Sequence, residues 1–564
     1  MANFPAISLR TIAACVMLAC FHSDTASAEA PKVDRVFPPG AQRGKTVEVK
    51  VTGKVPAGTR IWSDRTDVTF EVKPEDGTVR ATVAADATPG RAWIRFYNAE
   101  GATPLRPFLI GMLPEINEQE PNDRNEQAQA ADPGSVLING VLQKGGDVDI
   151  YSMPLAKGQT VILSLRANRR LGSPVDAVLQ LTTDRGFVLA HNDDDHHVDP
   201  QITFTATQAA TYFVRVFGFP TTPNSTIGFA GNADYIYRLL MTTGAYADHV
   251  IPLAASVPAE SKVTIRGWNL GAVTQTEPTL RPGSAGHLVV FHPQVANEIS
   301  IPVTPHKLIS EQDESTKHSM QSIGVPSVVS GHIDPAGDVD TYQLAAKKGQ
   351  KLNLRCEARA FDSLLDPVLR LLDAQGKTLK EADDQAKGVL DSQLNLTIPA
   401  DGDYRVEIRD RFQAGGRRFA YRLISEIPRA DFTITLAAGE FTLTPDKPLE
   451  IPVTIVRTNG LAEVISIAAE NLPAGVQAEP VKSMPKGDSS KTVKLKLESK
   501  RSEPFQGTLR IVGHCAAIAD MPPRVARFKI ASPPHDTSGI WLTVTKPASD
   551  DKPSAAADPK SKQP

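Results

Sequence analysis

Gly146-Asp147-Val148-Asp149-Ile150-Tyr151, followed by Lys157-Gly158-Gln159 and the run Val161-Ile162-Leu163-Ser164-Leu165, decides how this chain folds. The pattern returns as Gly337-Asp338-Val339-Asp340-Thr341-Tyr342, Lys348-Gly349-Gln350 and Leu352-Asn353-Leu354-Arg355-Cys356. The offset is constant, because 338 minus 147 and 349 minus 158 are both 191. Downstream, Asp176-Ala177-Val178-Leu179-Gln180-Leu181 parallels Asp366-Pro367-Val368-Leu369-Arg370-Leu371, and Asn192-Asp193-Asp194 parallels Ala382-Asp383-Asp384. Thr211 to Val216 parallels Asp403 to Ile408, and each copy ends on a Tyr-Arg-Leu strand, at Tyr237 and Tyr421. A period this long means duplicated domains, not a solenoid.

Alternation inside the repeat identifies its secondary structure. Tyr404, Val406 and Ile408 point one way, while Arg405, Glu407 and Arg409 point the other. A strand of that kind buries one face and wets the other, as in an antiparallel sandwich. The 39 Gly and 44 Pro punctuate the chain often enough for many short strands and tight turns.

Working outward, Thr46 to Gly53 resembles Lys262 to Gly267, and each opens a stretch of short strands before a larger repeat. A further alternating region holds Val493 to Leu497 and Thr508 to Val512. The predicted fold is all-β, a string of about five antiparallel β-sandwiches with little helix. The predicted boundaries are a small sandwich over 29–112, a larger one over 113–243, a small β domain over 244–306, the second larger one over 307–427 and an Ig-like sandwich over 428–545. Residues 546–564 hold almost nothing to bury and are expected to be a disordered tail.

Residues 1–28 carry an address. Arg10 precedes an apolar run from Ile12 to Phe21, and Ala26-Ser27-Ala28 offers small residues to a signal peptidase. The run is too short to span a bilayer, so it is expected to be a cleaved signal peptide. A lipoprotein signal with Cys20 as the lipidated residue is the alternative, although Met17-Leu18-Ala19 fits that pattern poorly. No later stretch suits a transmembrane segment. The mature chain is therefore expected outside the cytoplasm, secreted, periplasmic or on the cell surface.

Bulk numbers exclude other classes. With 61 basic and 64 acidic residues the net charge is −3, which recruits neither nucleic acid nor an anionic membrane. Beyond the signal only Cys356 and Cys515 remain, about 160 residues apart, and they are expected as two small buried hydrophobes, not a bridge. No Cys/His cluster suggests zinc.

Glu118-Gln119-Glu120-Pro121-Asn122-Asp123, the Gly-Asp-Val-Asp-x-Tyr block, the Lys-Gly-Gln turn, the Asp-x-x-Leu-x-Leu strand and the Asn-Asp-Asp loop occur in that order. In these motifs the larger repeat resembles the bacterial pre-peptidase C-terminal domain, in both copies. The resemblance implies a jelly-roll-like β-sandwich of the kind appended to secreted proteases and surface proteins, some binding fibrous protein or carbohydrate. The preceding small domains resemble Ig-like modules of the TIG kind. No stretch remains that could hold a protease domain.

The acidic segment is the strongest constellation. Close carboxylates repel, and calcium, which takes six to eight oxygen ligands, relieves that. The resemblance implies a calcium site formed by Glu118, Glu120, Asn122 and Asp123, completed by Asp147 or Asp149. The plainer reading is a solvated linker leading into a helical turn at Arg124 to Ala131. In the second copy Glu311-Gln312-Asp313-Glu314-Ser315-Thr316 lacks the Pro and the Asn-Asp pair, which weakens the case there.

Other motifs carry less. Asn192-Asp193-Asp194-Asp195-His196-His197 could attract a transition metal, but adjacent strand residues point oppositely, and a solvated turn is expected. Gly40-Ala41-Gln42-Arg43-Gly44-Lys45-Thr46 is not a phosphate loop, because it has three residues between the glycines where four are needed. Gly283-Ser284-Ala285-Gly286 has the wrong spacing for a nucleophile elbow, and no HExxH occurs. Phe217 and Phe219, just after a strand in a loop rich in Thr, Asn and Gly, could stack on a sugar or a peptide proline, and the plainer reading is a loop folding onto its own core. Trp62, Trp93, Trp268 and Trp541 are expected in the core.

The expected function is binding or adhesion without catalysis, with loops presented to an extracellular polysaccharide or protein polymer. The alternatives are an accessory or chaperone-like subunit of a secreted hydrolase, and a structural spacer of the cell envelope.

Overall fold

The computed structural model describes residues 29–547, apart from 74–76, 133, 223–227, 257–261, 272, 274–276, 284–285, 313–319 and 446. The predicted signal peptide (1–28) and nearly all of the predicted tail lie outside the described residues. Strands dominate, and helix is confined to single turns such as Asn168–Leu171. Period-two burial is seen directly in Thr492–Ser499, where Val493, Leu495 and Leu497 enter a core and the lysines between them face water.

Each larger repeat is a pair of five-stranded sheets. In the first copy one sheet runs Glu115–Asn117, Ser135–Val141, Ile236–Thr242, Thr160–Arg166, Gln201–Thr205. The facing sheet runs Gln129–Ala130, Asp149–Leu155, Ala210–Pro220, Val175–Thr182, Val188–Asn192. The second copy repeats both orders strand for strand, with Ser327–His332 beside Ala420–Glu426 and Val339–Ala346 beside Gly402–Asp410.

Most pairings are antiparallel, but the leading strands pair parallel: Glu115–Asn117 with Ser135–Val141, and Gln129–Ala130 with Asp149–Leu155. The chain switches sheet at each of these four strands. Those that become neighbours therefore run the same way. This device sets the acidic linker, residues 118–123, across one end of the sandwich.

In space the last sandwich returns to the first. Trp93 and Leu105 of the first small sandwich belong to the core of the C-terminal one. Trp541 is buried there, with Trp62 edge-on at 5.8 Å and Tyr97 at 4.9 Å. Trp93 and Trp541 are core as expected, whereas Trp62 and Trp268 are only half-buried, the latter beneath the Arg417 guanidinium at 4.7 Å. Ser532 donates its hydroxyl to Gly172 O at 2.6 Å, tying the C-terminal sandwich to the first large one.

The interior of Ile236–Thr242 is buried on both faces, because Leu240 and Ile162 meet Tyr246 and Ala296 of the middle domain. Arg238 on that strand is fully buried and donates to Leu109 O at 2.8 Å and to Glu115. Gly40 lies in the strand Gly40–Gln42 and must be glycine, since a Cβ there would fall 1.8 Å from Arg238 Nη1 and 2.1 Å from Leu109 O. Cys356 and Cys515 are free and buried.

Candidate metal centre

The acidic linker lies against the start of the strand Asp149–Leu155 and the turn before it. The N–H of Ile150 donates to Asn122 O at 3.1 Å, and the N–H of Asn122 donates to Glu120 Oε2 at 3.1 Å. These contacts draw Glu120, Asp147 and Asp149 together, with one ligand oxygen from each within 4.8 Å of the others. Asp147 and Asp149 are completely buried and Glu120 is exposed, so the cluster has a single wet side.

Several buried atoms here lack hydrogen bonds among the described residues: both amide atoms of Asn122, Oδ1 of Asp147 and Oδ1 of Asp149. A fully buried side-chain amide without a partner costs stability, so this is an unusual concentration. Burial raises the pKa of each carboxylate, and like charges add to it. Asp149 is pushed well up by burial, Glu118 and Asp147. Glu118 is raised to about 7. Glu120 and Asp147 are raised by burial and by acidic neighbours. Three converging carboxylates plus an amide oxygen form the donor set that a hard oxygen-seeking cation takes.

The six predicted residues separate into three groups. Glu120, Asp147 and Asp149 converge, and Asn122 is buried beside them. Glu118 is turned toward the sandwich interior, accepting the Val141 N–H at 2.9 Å and lying 3.5 Å from the Tyr237 hydroxyl. Asp123 accepts the Val148 N–H at 3.5 Å and faces Lys144, whose Nζ is 3.8 Å away. The helical turn expected over Arg124 to Ala131 is only a three-residue 3-10 turn, Asn125–Gln127, because Gln129–Ala130 is taken by the sheet.

The sequence reading missed the hydroxyls behind the site. Tyr237 donates to Asp149, and the Tyr151 and Tyr237 hydroxyls are 2.5 Å apart. The signal was present, for the same tyrosines recur as Tyr342 and Tyr421. There Tyr421 donates to Asp340 at 2.7 Å. The second copy differs at its wet side. Asp338 accepts its neighbours' N–H groups, from Val339 at 2.8 Å and Asp334 at 3.4 Å. Asp340 interacts with Glu311 and, chiefly through burial, is raised to about 9. Asp313 to Thr316 lie outside the described residues.

Two sequence expectations need correction. Phe217 does not sit in an exposed loop: it lies in the strand Ala210–Pro220, is 6% exposed, and packs with Val148, Ile150, Val178 and Phe229. Phe219, two residues on, is still 40% exposed and meets the Phe229 ring edge-on at 5.9 Å. The Asp193 to His197 run is not simply a solvated turn. Asp195 is buried and takes both Arg418 nitrogens, at 3.0 and 2.8 Å, while His196 bonds Gln201 at 3.2 Å. Arg418 comes from the second larger repeat, which no local reading of the run could anticipate.

Residues 147–218, which include Asp147, Asp149 and Phe217, match the bacterial pre-peptidase C-terminal domain family. The chain carries a pre-peptidase C-terminal domain. A probable subtilase-type serine protease of Deinococcus radiodurans is 29% identical over 141 residues, which is 25% of this chain and 17% of that protein. The chain thus spans about a sixth of the length of that relative. The pre-peptidase C-terminal domain of a collagenase from Bacillus anthracis is similar at 11% identity over 20% of this chain and 98% of that one, with a TM-score of 0.16. The insect immune protein hemolin is similar at 8% identity over 92% of this chain and all of that one, with a TM-score of 0.22. Among the described residues no helix is long and apolar enough to cross a membrane.

Proposed function

We propose that the protein is an extracytoplasmic, non-catalytic binding protein whose two pre-peptidase-like repeats grip an extracellular polysaccharide or protein polymer. The observation that carries this reading is an exposed phenylalanine near the end of the corresponding strand in each copy. Phe219 lies near the end of the strand Ala210–Pro220, and Phe412 lies two residues beyond the corresponding strand Gly402–Asp410 of the second copy; they are 40% and 75% exposed. Exposed rings stack on sugars and on peptide prolines. Two such points on a duplicated scaffold suit a ligand that itself repeats, because the second contact is then intramolecular.

Calcium belongs to this reading as a stiffener. Glu120, Asp147, Asp149 and the Asn122 carbonyl would hold it, with water on the open side. The ion would neutralise the carboxylates and fix the linker against the sandwich, preorganising the surface nearby. It takes part in no reaction.

Likeness to a probable subtilase-type protease favours a second reading, an accessory of a secreted hydrolase. Co-sedimentation of the purified mature chain with insoluble chitin, cellulose and collagen separates the two. Retention on a polymer that falls in Phe219→Ala and Phe412→Ala supports the first reading. No retention on any polymer, with a stoichiometric hydrolase recovered from the native secretome, replaces it with the second.

A further inference from the structure

All five sandwiches line one chamber of about 680 Å³. That volume falls within the ~300–1,000 Å³ of typical ligand sites. Its wall is strongly charged, and nearly every charge there is already answered. Arg65 bonds Asp67, Arg169 meets Asp362, and Glu298 is shared by Arg166 at 3.1 Å and Arg170 at 3.8 Å. Asp64 accepts the Trp93 N–H at 2.8 Å, and Asp248, whose two oxygens are buried without hydrogen bonds among the described residues, still has Arg418 as an ion-pair partner at 3.8 Å.

Arg91 is the exception. It lines the chamber, its Nη1 is buried without a hydrogen bond, and it has no ion-pair partner among the described residues. Its guanidinium lies 4.7 Å over the Trp93 ring, which in turn stacks on His535 at 5.2 Å. Burial, with Arg170 and Arg169 as neighbours, lowers its pKa to about 10 against the opposing pull of the nearby Asp64 carboxylate, which forms no ion pair with it, so Arg91 remains a cation near neutrality. A largely buried cation with a bare nitrogen is costly, and cations in such places are ordinarily paired.

We propose that the chamber is a binding site for a sugar-sized ligand bearing a compact oxyanion, a carboxylate or a sulfate, with Arg91 as its counter-ion. The planar fork of Arg91 matches either oxyanion in two-point contact. Arg169 and Arg170 add positive potential without surrendering their own partners. The site draws on none of the residues of the acidic cluster and needs no calcium. Phe219 and Phe412 play no part in it.

The test uses the full mature chain, with sodium glucuronate, sodium sulfate and glucose as probes at about 10 mM against matched sodium chloride. A ligand that binds only the native state raises the unfolding temperature. Glucuronate, sulfate or both are expected to raise it by a few degrees and to change the Trp93 contribution to fluorescence, while glucose does neither. Which anion acts assigns the oxyanion. Arg91→Gln is expected to abolish the shift while its own ligand-free unfolding temperature stays level or rises, since a lone cation has been removed. Arg91→Lys keeps the charge but not the fork, and is expected to retain only part of the shift. The proposal is overturned if neither anion shifts the wild type beyond the chloride control, or if Arg91→Gln responds as the wild type does.

Discussion

Arg95 of the first sandwich and Glu440 of the last, 345 residues apart in the chain, meet at 2.6 Å. Arg95 is fully buried and also donates to Thr103 O at 2.8 Å and Gly539 O at 3.2 Å. One side chain thus closes the string of domains on itself, beside the ring contact of Trp62 and Trp541.

Removing one member of a buried ion pair leaves the other uncompensated, at a cost of about 3–5 kcal/mol when both are buried. Glu440 keeps some solvent contact, so Arg95→Met is expected near the lower end, about 2–3 kcal/mol. Combining it with Glu440→Gln should recover part of that loss. Chemical denaturation of the four proteins measures the coupling. Strict additivity would mean that the two side chains do not interact in solution.

Calcium should raise stability by about 2.7 kcal/mol at a hundredfold excess over its dissociation constant. Thermal unfolding with calcium and with EDTA measures this. Asp147→Asn and Asp149→Asn are expected to remove the difference, because each withdraws a converging carboxylate. Asp123→Asn is expected to remove little of it, because Asp123 faces Lys144. Superimposed curves for the wild type would dispose of the site.

The second copy should report on pH. Asp340 has a folded-state pKa raised from the usual 3.8 to about 9, by burial and then by Glu311. A raised carboxyl binds its proton more tightly when folded. Its contribution to stability is complete below about pH 4 and fades as the pH climbs through 9. Asp340→Asn keeps an N–H donor toward Glu311 without a titratable proton. It is therefore expected to flatten the loss of unfolding temperature between about pH 5 and 9. An unchanged pH profile in that variant would place the alkaline sensitivity elsewhere.

Phe217 and Phe219 should behave oppositely. Phe217→Ala empties a packed site and is expected to cost about 3–5 kcal/mol. Phe219→Ala and Phe412→Ala are expected to stay within about 1 kcal/mol of wild type while weakening polymer retention. Denaturation midpoints and co-sedimentation, run on the same preparations, read both effects.

Much was legible without coordinates, for a local reason. Alternating Val493, Leu495 and Leu497 against lysines admits only a strand with one wet face, and a 191-residue recurrence admits only a duplicated domain. The acidic segment was visible for the same reason, since its six residues are neighbours in sequence. What no period could encode is which of them converge. Glu118 and Asp123 are drawn away by partners, the Val141 N–H and Lys144, that fall elsewhere in the chain.

The sequence by itself determined the all-β class, the duplication and the acidic segment from which the candidate centre is drawn, because side-chain alternation and chain proximity are properties of neighbouring positions. Only the tertiary structure decided that the first and last sandwiches dock, that Asp195 answers Arg418, and that Arg91 lines a chamber walled by every domain with no ion pair among the described residues. Those relationships depend on where separately folded units come to rest. That is set by the sum of contacts between surfaces hundreds of residues apart, and no repeat or spacing in the chain records it.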